Sequence, residues 1–350
     1  MRYVNGILIF FHIPKTGGTT MDAVLSRCFP GAQHFDGAMA DTRSALSIRP
    51  REKIEAKYQA LSNAERQAIQ CLMGTIYPFG IHTILDRSAK YFTILRPPVE
   101  RCISHFLNNK KVTHQPFYNR IKNMTLDEYL DSGIGIESSD YQVRLLSGCP
   151  ELDAFRHPVG GRISAPPVEP RHLELAKQNI EQHFVAAAPM EAFNSLLLML
   201  RALYGWKLWQ ILYARHNIGS KGAASVESIS TASRLRLEEM NCYDIQLYDW
   251  VKVRFAEQTR AMEPELSRDL RRFEMLNAAA QRVRRTTPDL VARPIGRLLS
   301  SQPELMRRAS ASHTHAQRER VNRNVANPHL RIRMNHRPGC PAEHFDKGVR

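Results

Sequence analysis

Residues His12-Ile13-Pro14-Lys15-Thr16-Gly17-Gly18-Thr19-Thr20 gather a lysine, two adjacent glycines and three threonines at nine consecutive positions. Residues of those types in that order suit an anion. The glycines let the backbone turn back and approach a ligand closely, the amides that follow lie at a helix N-terminus, and Lys15 adds a mobile positive charge. Thr16, Thr19 and Thr20 add hydroxyls able to donate to phosphate or sulfate oxygens. A glycine pair alone is as well explained by a turn, and Thr19 alone by a helix cap. It is the lysine and the hydroxyls together that point to bound phosphate or sulfate. The order differs from the GxxxxGK[ST] loop of ordinary ATPases, because the lysine here precedes the glycines and no Lys-Ser/Thr pair closes the motif.

A second basic position stands apart from the loop. Arg96 ends the run Lys90-Tyr91-Phe92-Thr93-Ile94-Leu95 and is followed by Pro97-Pro98, and Ser104 lies further on in a segment of helical spacing (Val99, Ile103, Phe106, Leu107). The elements that must carry these residues can be read from periodicity. Ile7 to Phe11 is an apolar run of β-rich residues and predicts a buried strand, with Met21 to Cys28 as the helix after the loop. Lys90 to Leu95 predicts a strand stopped by proline, and the proline also starts the next helix. Arg51 to Leu72 has helical spacing broken near Ser62-Asn63, which leaves one helix or two, and 72–82, with its glycines and Pro78, reads as a strand running into a loop. Strand, loop and helix repeated in this way predict an α/β fold around a parallel sheet. Ligands are then expected at the carboxyl ends of the strands, where Arg96 and the Lys15 loop would share a cleft.

Composition narrows the classes. The chain has 43% hydrophobic residues, enough for a packed core in one large domain or two small ones. No stretch approaches the ~20 apolar residues of a membrane span and the N-terminus lacks the pattern of a signal peptide, so a cytoplasmic location is expected. Six cysteines form no CxxC pair, and the fourteen histidines form no HExxH, so free thiols and no structural zinc are expected. The net charge is +15, and residues 261–350 hold 18 Lys/Arg against 9 Asp/Glu, or +9 of that total. The expected organisation is a domain over 1–260 and a basic region over 261–350, a helix followed by a largely disordered tail. That tail is either simply solvated or drawn to an anionic glycan, nucleic acid or membrane surface, and no nucleic-acid motif favours the second of these.

The two basic elements, in this order, resemble the P-loop-like sulfotransferases that use 3′-phosphoadenosine 5′-phosphosulfate (PAPS), in the branch of heparan sulfate 2-O-sulfotransferase and its bacterial relatives. His12 to Thr20 is similar to their 5′-phosphosulfate loop, and Tyr91 to Phe106 to their 3′-phosphate element, whose arginine and serine match Arg96 and Ser104. Weaker similarity continues through Asp140 to Gly148, Ala176 to Trp206 and Asn241 to Phe255, so the resemblance covers about residues 5–258. It implies a three-layer fold with helices on both faces of the sheet, PAPS as sulfuryl donor, no metal, and a hydroxyl acceptor, most plausibly on a carbohydrate. Pro14 to Thr20 would hold the 5′-phosphate, with Lys15 also neutralising the departing oxygen. Arg96 and Ser104 would bind the 3′-phosphate.

One position departs from that pattern. Thr75 in Gly74-Thr75-Ile76-Tyr77-Pro78-Phe79-Gly80-Ile81-His82 stands where the resembling proteins carry the histidine that acts as general base. Threonine is no base at ordinary pH, and His82, whose imidazole titrates near neutrality, is the remaining candidate beside a loop or second-sphere role for it. Other roles considered are structural: Glu100 and Arg101 as a helix-surface pair, Asp140 and Arg144 as an i,i+4 pair, Trp206 and Trp209 as core. The rivals to a sulfotransferase are a nucleotide-binding or scaffold protein that has lost catalysis and a P-loop kinase-like enzyme.

Overall fold

The computed structural model describes residues 6–29, 34–35, 51–73, 79–113, 117–153, 166–213 and 229–286. Five strands form the sheet: β1 (Ile7–Phe11), β2 (His34–Phe35), β3 (Cys71–Leu72), β4 (Ala89–Leu95) and β5 (Phe184–Pro189). The helices are α1 (Gly18–Cys28), α2 (Arg51–Gln59), α3 (Asn63–Ala68), α4 (Pro98–Asn109), α5 (Tyr118–Ile121), α6 (Leu126–Ser132), α7 (Tyr141–Ser147), α8 (Pro150–Asp153), α9 (Pro170–His183), α10 (Phe193–Tyr204), α11 (Thr231–Met240), α12 (Cys242–Arg260) and α13 (Glu265–Thr286). All strand pairs are parallel, in the order β2-β3-β1-β4-β5. β1 meets β4 from Ile7 opposite Ala89 to Phe11 opposite Thr93, and β4 runs two residues further, to Leu95 opposite Pro189 of β5.

This is the α/β fold with a parallel sheet that the residue pattern predicts, and the reason lies in burial. Both faces of the sheet are covered, so β1 is apolar throughout and β4 is mostly so, with Lys90 near its start and the buried Thr93 as exceptions. Ile7, Ile9, Phe11, Tyr91 and Leu95 pack with Val143, Leu173, Leu247 and Val251 from α7, α9 and α12 on one face. Leu8, Phe10, Phe92 and Ile94 pack with Met21, Leu197, Phe255 and Phe273 from α1, α10, α12 and α13 on the other. The break at Ser62 resolves as two helices, with Ser62 as N-cap of α3 in a capping box with Glu65. β3 is Cys71–Leu72, at the start of the segment read as a strand running into a loop, and residues 74–78, Thr75 included, lie outside the described residues.

Three side chains take roles that spacing alone does not reveal. Arg101, expected on a helix surface with Glu100, is fully buried, donates to the Glu137 carbonyl and lies 5.2 Å from the centre of the Tyr141 ring. Asp140 caps α12, with Oδ1 accepting the amides of Tyr243 and Asp244 at 2.9 and 2.8 Å. Asp244 returns the bond by accepting the amides of Gln142 and Val143 in the first turn of α7 at 3.0 and 2.7 Å. Each helix thus supplies the carboxylate that satisfies the other's orphan donors. Trp206 is buried, as expected of a core residue.

The helix expected at the start of the basic region is α13, and it packs into the second core. Leu266 and Phe273 are buried there, and α13 lies along α10. Residues 287–350 lie outside the described residues. Phe273→Ala should therefore destabilise the whole domain by about 3–5 kcal/mol, read by denaturant titration; a loss under ~1 kcal/mol would show that α13 contributes little to the core.

Candidate active site

In a parallel sheet the crevice opens where chains leaving neighbouring strands depart to opposite sides. Here the chain leaves β1 toward β2 and leaves β4 toward β5, so the opening lies between the carboxyl ends of β1 and β4. Residues 12–17 and Arg96 emerge there. Thr93 Oγ1 donates to the Phe11 carbonyl at 2.7 Å, which pins the root of the loop to β4.

The loop is shaped by close approach. Gly17 is the N-cap of α1 with φ +92, left-handed backbone that glycine adopts without strain. A Cβ on Gly18 would overlap the His12 imidazole, so only glycine fits against that ring. Lys15 also has positive φ, 72°, although it carries a side chain. Strain of about 1–3 kcal/mol at such a residue persists only where its surroundings hold it. The Gly18 and Thr19 amides open α1 without a carbonyl one turn back to bond them, whereas Thr20 and Met21 amides reach the Gly17 carbonyl at 3.1 and 3.2 Å.

The structure brings the two basic elements together. Arg96 Nη1 donates to the Lys15 carbonyl at 3.2 Å, and Lys15 Nζ donates to Asn108 Oδ1 at 3.0 Å. Arg96 is held in turn by the buried Gln142, whose Oε1 accepts the Arg96 amide at 3.1 Å and whose Nε2 donates to its carbonyl at 3.0 Å. Gln142 thus continues the ladder past the end of β4 and links Arg96 to the paired caps of α7 and α12. Burial, Arg96 and Lys111, in that order, push the Lys15 pKa below the usual lysine value. Burial does the same to Arg96, opposed by Glu100. Burial and the Lys15 charge push His12 down to about 4, so its ring is neutral at physiological pH. Desolvated cations set beside one another are what an anion would relieve.

The remaining residues divide. Ser104 is half-buried on α4, and Asn108 follows one helical turn later on the same face. Pro14 is half-buried, Thr19 is exposed and Thr20 is buried in the first turn of α1. Thr16 is fully buried, and its Oγ1 donates to the Ile13 carbonyl at 2.7 Å, a bond that braces the loop. His82 is not brought to this edge. Its Nδ1 lies 3.0 Å from Tyr91 Oη, and its ring centre 4.3 Å from that of His183, the residue just before β5. Tyr91 precedes the end of β4 by four residues, roughly 13 Å of strand, so His82 sits over the amino-terminal half of the sheet.

Residues that spacing did not reveal complete the edge. Asn108 and Gln142 touch the site through bonds distant in sequence, and Lys111 acts on Lys15 by its charge. Glu191 follows β5 directly and accepts from Tyr248 Oη at 2.5 Å, and the Phe193 ring faces Gly17. Only Asn108 carried a legible sign, its i+4 relation to Ser104. A separate group, Cys149, Glu151 and His172, holds possible ligand atoms within 4.8 Å of one another. His172 Nδ1 accepts the Glu169 amide at 2.9 Å, which leaves the ring proton on Nε2 facing Glu151 at 3.4 Å. That tautomer has no lone pair left for a cation.

A three-layer α/β protein with a basic carboxyl edge is consistent with the sulfotransferase fold. A family model for Galactose-3-O-sulfotransferase matches residues 4–290, and the chain belongs to that family, which makes it a transferase. The match supports the resemblance at the level of sulfotransferases and does not extend to the heparan sulfate 2-O-sulfotransferase branch. Comparison with curated proteins finds no match. The electrostatics carry a sign that calorimetry can read. An anion binds the protonated form of Lys15, whose pKa is lowered in the free protein, so affinity for 3′-phosphoadenosine 5′-phosphate should fall as pH rises through the alkaline range, with proton uptake on binding there. Lys15→Met should abolish that slope; a slope unchanged in the variant would remove Lys15 from the anion site.

Proposed function

We propose that this protein transfers a sulfuryl group from PAPS to a hydroxyl of a galactose-containing carbohydrate. The observation that carries the reading is the contact between Arg96 and the Lys15 loop, which sets two anion-binding elements side by side at one edge of the sheet. A donor with a 5′-phosphosulfate and a 3′-phosphate needs two such elements. The PAPS donor supplies an activated sulfuryl group; the chain supplies placement and charge. The Gly18 and Thr19 amides and Lys15 would hold the 5′ end, and Arg96 with Ser104 the 3′-phosphate. Asn108 sets where the Lys15 ammonium rests before the donor enters. The galactoside acceptor is supported by the family match.

His82, braced on Tyr91 over the other half of the sheet, acts in this reading as packing beside the site's scaffold. His82→Ala should then cost less than ~10-fold in turnover, and a loss of ~10²-fold or more would restore it as the general base. The transfer itself is tested by incubating the protein with PAPS and a panel of galactosides and scoring sulfate esters by mass spectrometry. Sulfation that Lys15→Ala abolishes while 3′-phosphoadenosine 5′-phosphate remains preferred over ATP is the expected result. Preferential binding of ATP would support the kinase-like rival. Nucleotide binding with no ester formed on any galactoside would support the catalytically lapsed one.

A further inference from the structure

The chain from Arg101 to Leu126 contains five Lys/Arg and no Asp or Glu. It begins five residues after Arg96, and its described parts lie at the end of α4 that carries Asn108. Lys110 Nζ donates to the Met124 carbonyl at 2.8 Å, which draws the segment after α5 against the end of α4. The Lys111 amide donates at 3.0 Å to the carbonyl of Asn108, the residue whose side chain holds the Lys15 ammonium. Lys111, Arg120 and Lys122 are exposed, and among the described residues none of them forms an ion pair. Arg120 stands 5.9 Å from the centre of the Phe117 ring and Lys122 5.8 Å from that of Tyr118, within cation–π range. Lys111, Arg120 and Lys122, the last two over aromatic rings, make up a basic ledge along this segment, with Lys111 one helical turn from the residue that holds Lys15.

We infer that this ledge binds the acceptor, and that the acceptor is an anionic oligosaccharide whose carboxylate or sulfate groups pair with Lys111, Arg120 and Lys122. The inference rests on the sulfotransferase reading above and adds the charge of the substrate to it. A neutral galactoside would gain little from three exposed cations, because they are already fully hydrated and desolvating them without a counter-charge is unfavourable. A chain of charged sugars gains an electrostatic contact at each repeat, and its ring faces can lie on the aromatic side chains. Repelling like charges at the ledge also steer an anionic acceptor toward Lys15 from a distance within the Debye length, about 8–10 Å at physiological salt.

The test uses the full chain saturated with 3′-phosphoadenosine 5′-phosphate. Calorimetry compares a galactose-containing hexasaccharide bearing uronic acid carboxylates with a neutral hexasaccharide of galactose and N-acetylglucosamine. The acidic chain should bind at least about tenfold more tightly, and added salt should erase the difference. The double variant Arg120→Glu, Lys122→Glu should weaken the acidic chain by about tenfold or more, leaving nucleotide affinity and the circular dichroism spectrum unchanged. Equal affinities for the two hexasaccharides, or an acidic-chain affinity indifferent to the double variant, would overturn the ledge while leaving sulfuryl transfer intact. So would tighter binding of a single-stranded oligonucleotide of matched charge, which would make the ledge a nucleic-acid surface. Failure of nucleotide binding itself would instead strike at the transferase reading.

Discussion

The structure depends on keeping Lys15, Arg96 and Lys111 close together, with only Glu100 and Glu191, both acting on Arg96, to offset their repulsion among the described residues. Lys15 is desolvated, and its strongest charged neighbours are Arg96 and Lys111, both of the same sign. Two unit charges 4 Å apart repel by about 1 kcal/mol in water and about 4 kcal/mol near a protein surface. Left free, such side chains would swing apart into solvent. The fold prevents this by fixing the backbone that carries them and by giving the Lys15 ammonium a neutral oxygen, Asn108 Oδ1, in place of a carboxylate. A carboxylate there would neutralise the lysine, whereas the amide oxygen leaves its charge in place. Much of the surrounding polar architecture follows from that requirement.

Arg96 shows how far the support reaches. Its guanidinium touches the Lys15 carbonyl, its backbone is clasped by Gln142, and Gln142 sits in the first turn of α7, capped by Asp244. Asp244 in turn begins α12, which Asp140 caps. Burial and the charge of Asp244 raise the pKa of Asp140, the cost of placing two carboxylates close together out of water. The amide bonds they accept offset that cost. A chain of buried hydrogen bonds therefore runs from the helices on one face of the sheet to the single arginine at its edge. In that chain a substitution far from any ligand can move Arg96.

Legibility from the residues varied with how local each cause was. The Lys15 loop and the Pro97-Pro98 boundary were readable because a turn, an N-terminus and a proline stop are decided within a few positions. The two cores were readable as strands and helices because both faces of a covered parallel sheet demand apolar runs. The partner of Thr16 was not readable, since a hydroxyl free to meet a ligand and one bracing the loop look the same until the Ile13 carbonyl is seen to take its proton. The surroundings of His82 were not readable for a related reason. A histidine near a strand end reads as chemistry, but the registry of β4 and β5 decides that its partners are Tyr91 and His183. Arg101 looked like a surface residue because burial of an arginine depends on a carbonyl and a ring brought from 36 and 40 residues away.

By itself, then, the sequence determined the alternation of strand and helix, the glycine-turned loop of residues 12–20 with its lysine and hydroxyls, and the second basic element at Arg96. Each of these follows from short-range sterics, hydrogen-bonding capacity and the period of apolar residues. Only the tertiary structure decided which of the candidate residues meet. It placed Arg96 against Lys15, supplied Asn108, Gln142 and Lys111, carried His82 away to the other half of the sheet and drew α13 into the core. The physical reason is that strand order and register set which distant residues become neighbours, and those follow from how whole faces of apolar surface are buried together rather than from any one stretch of the chain.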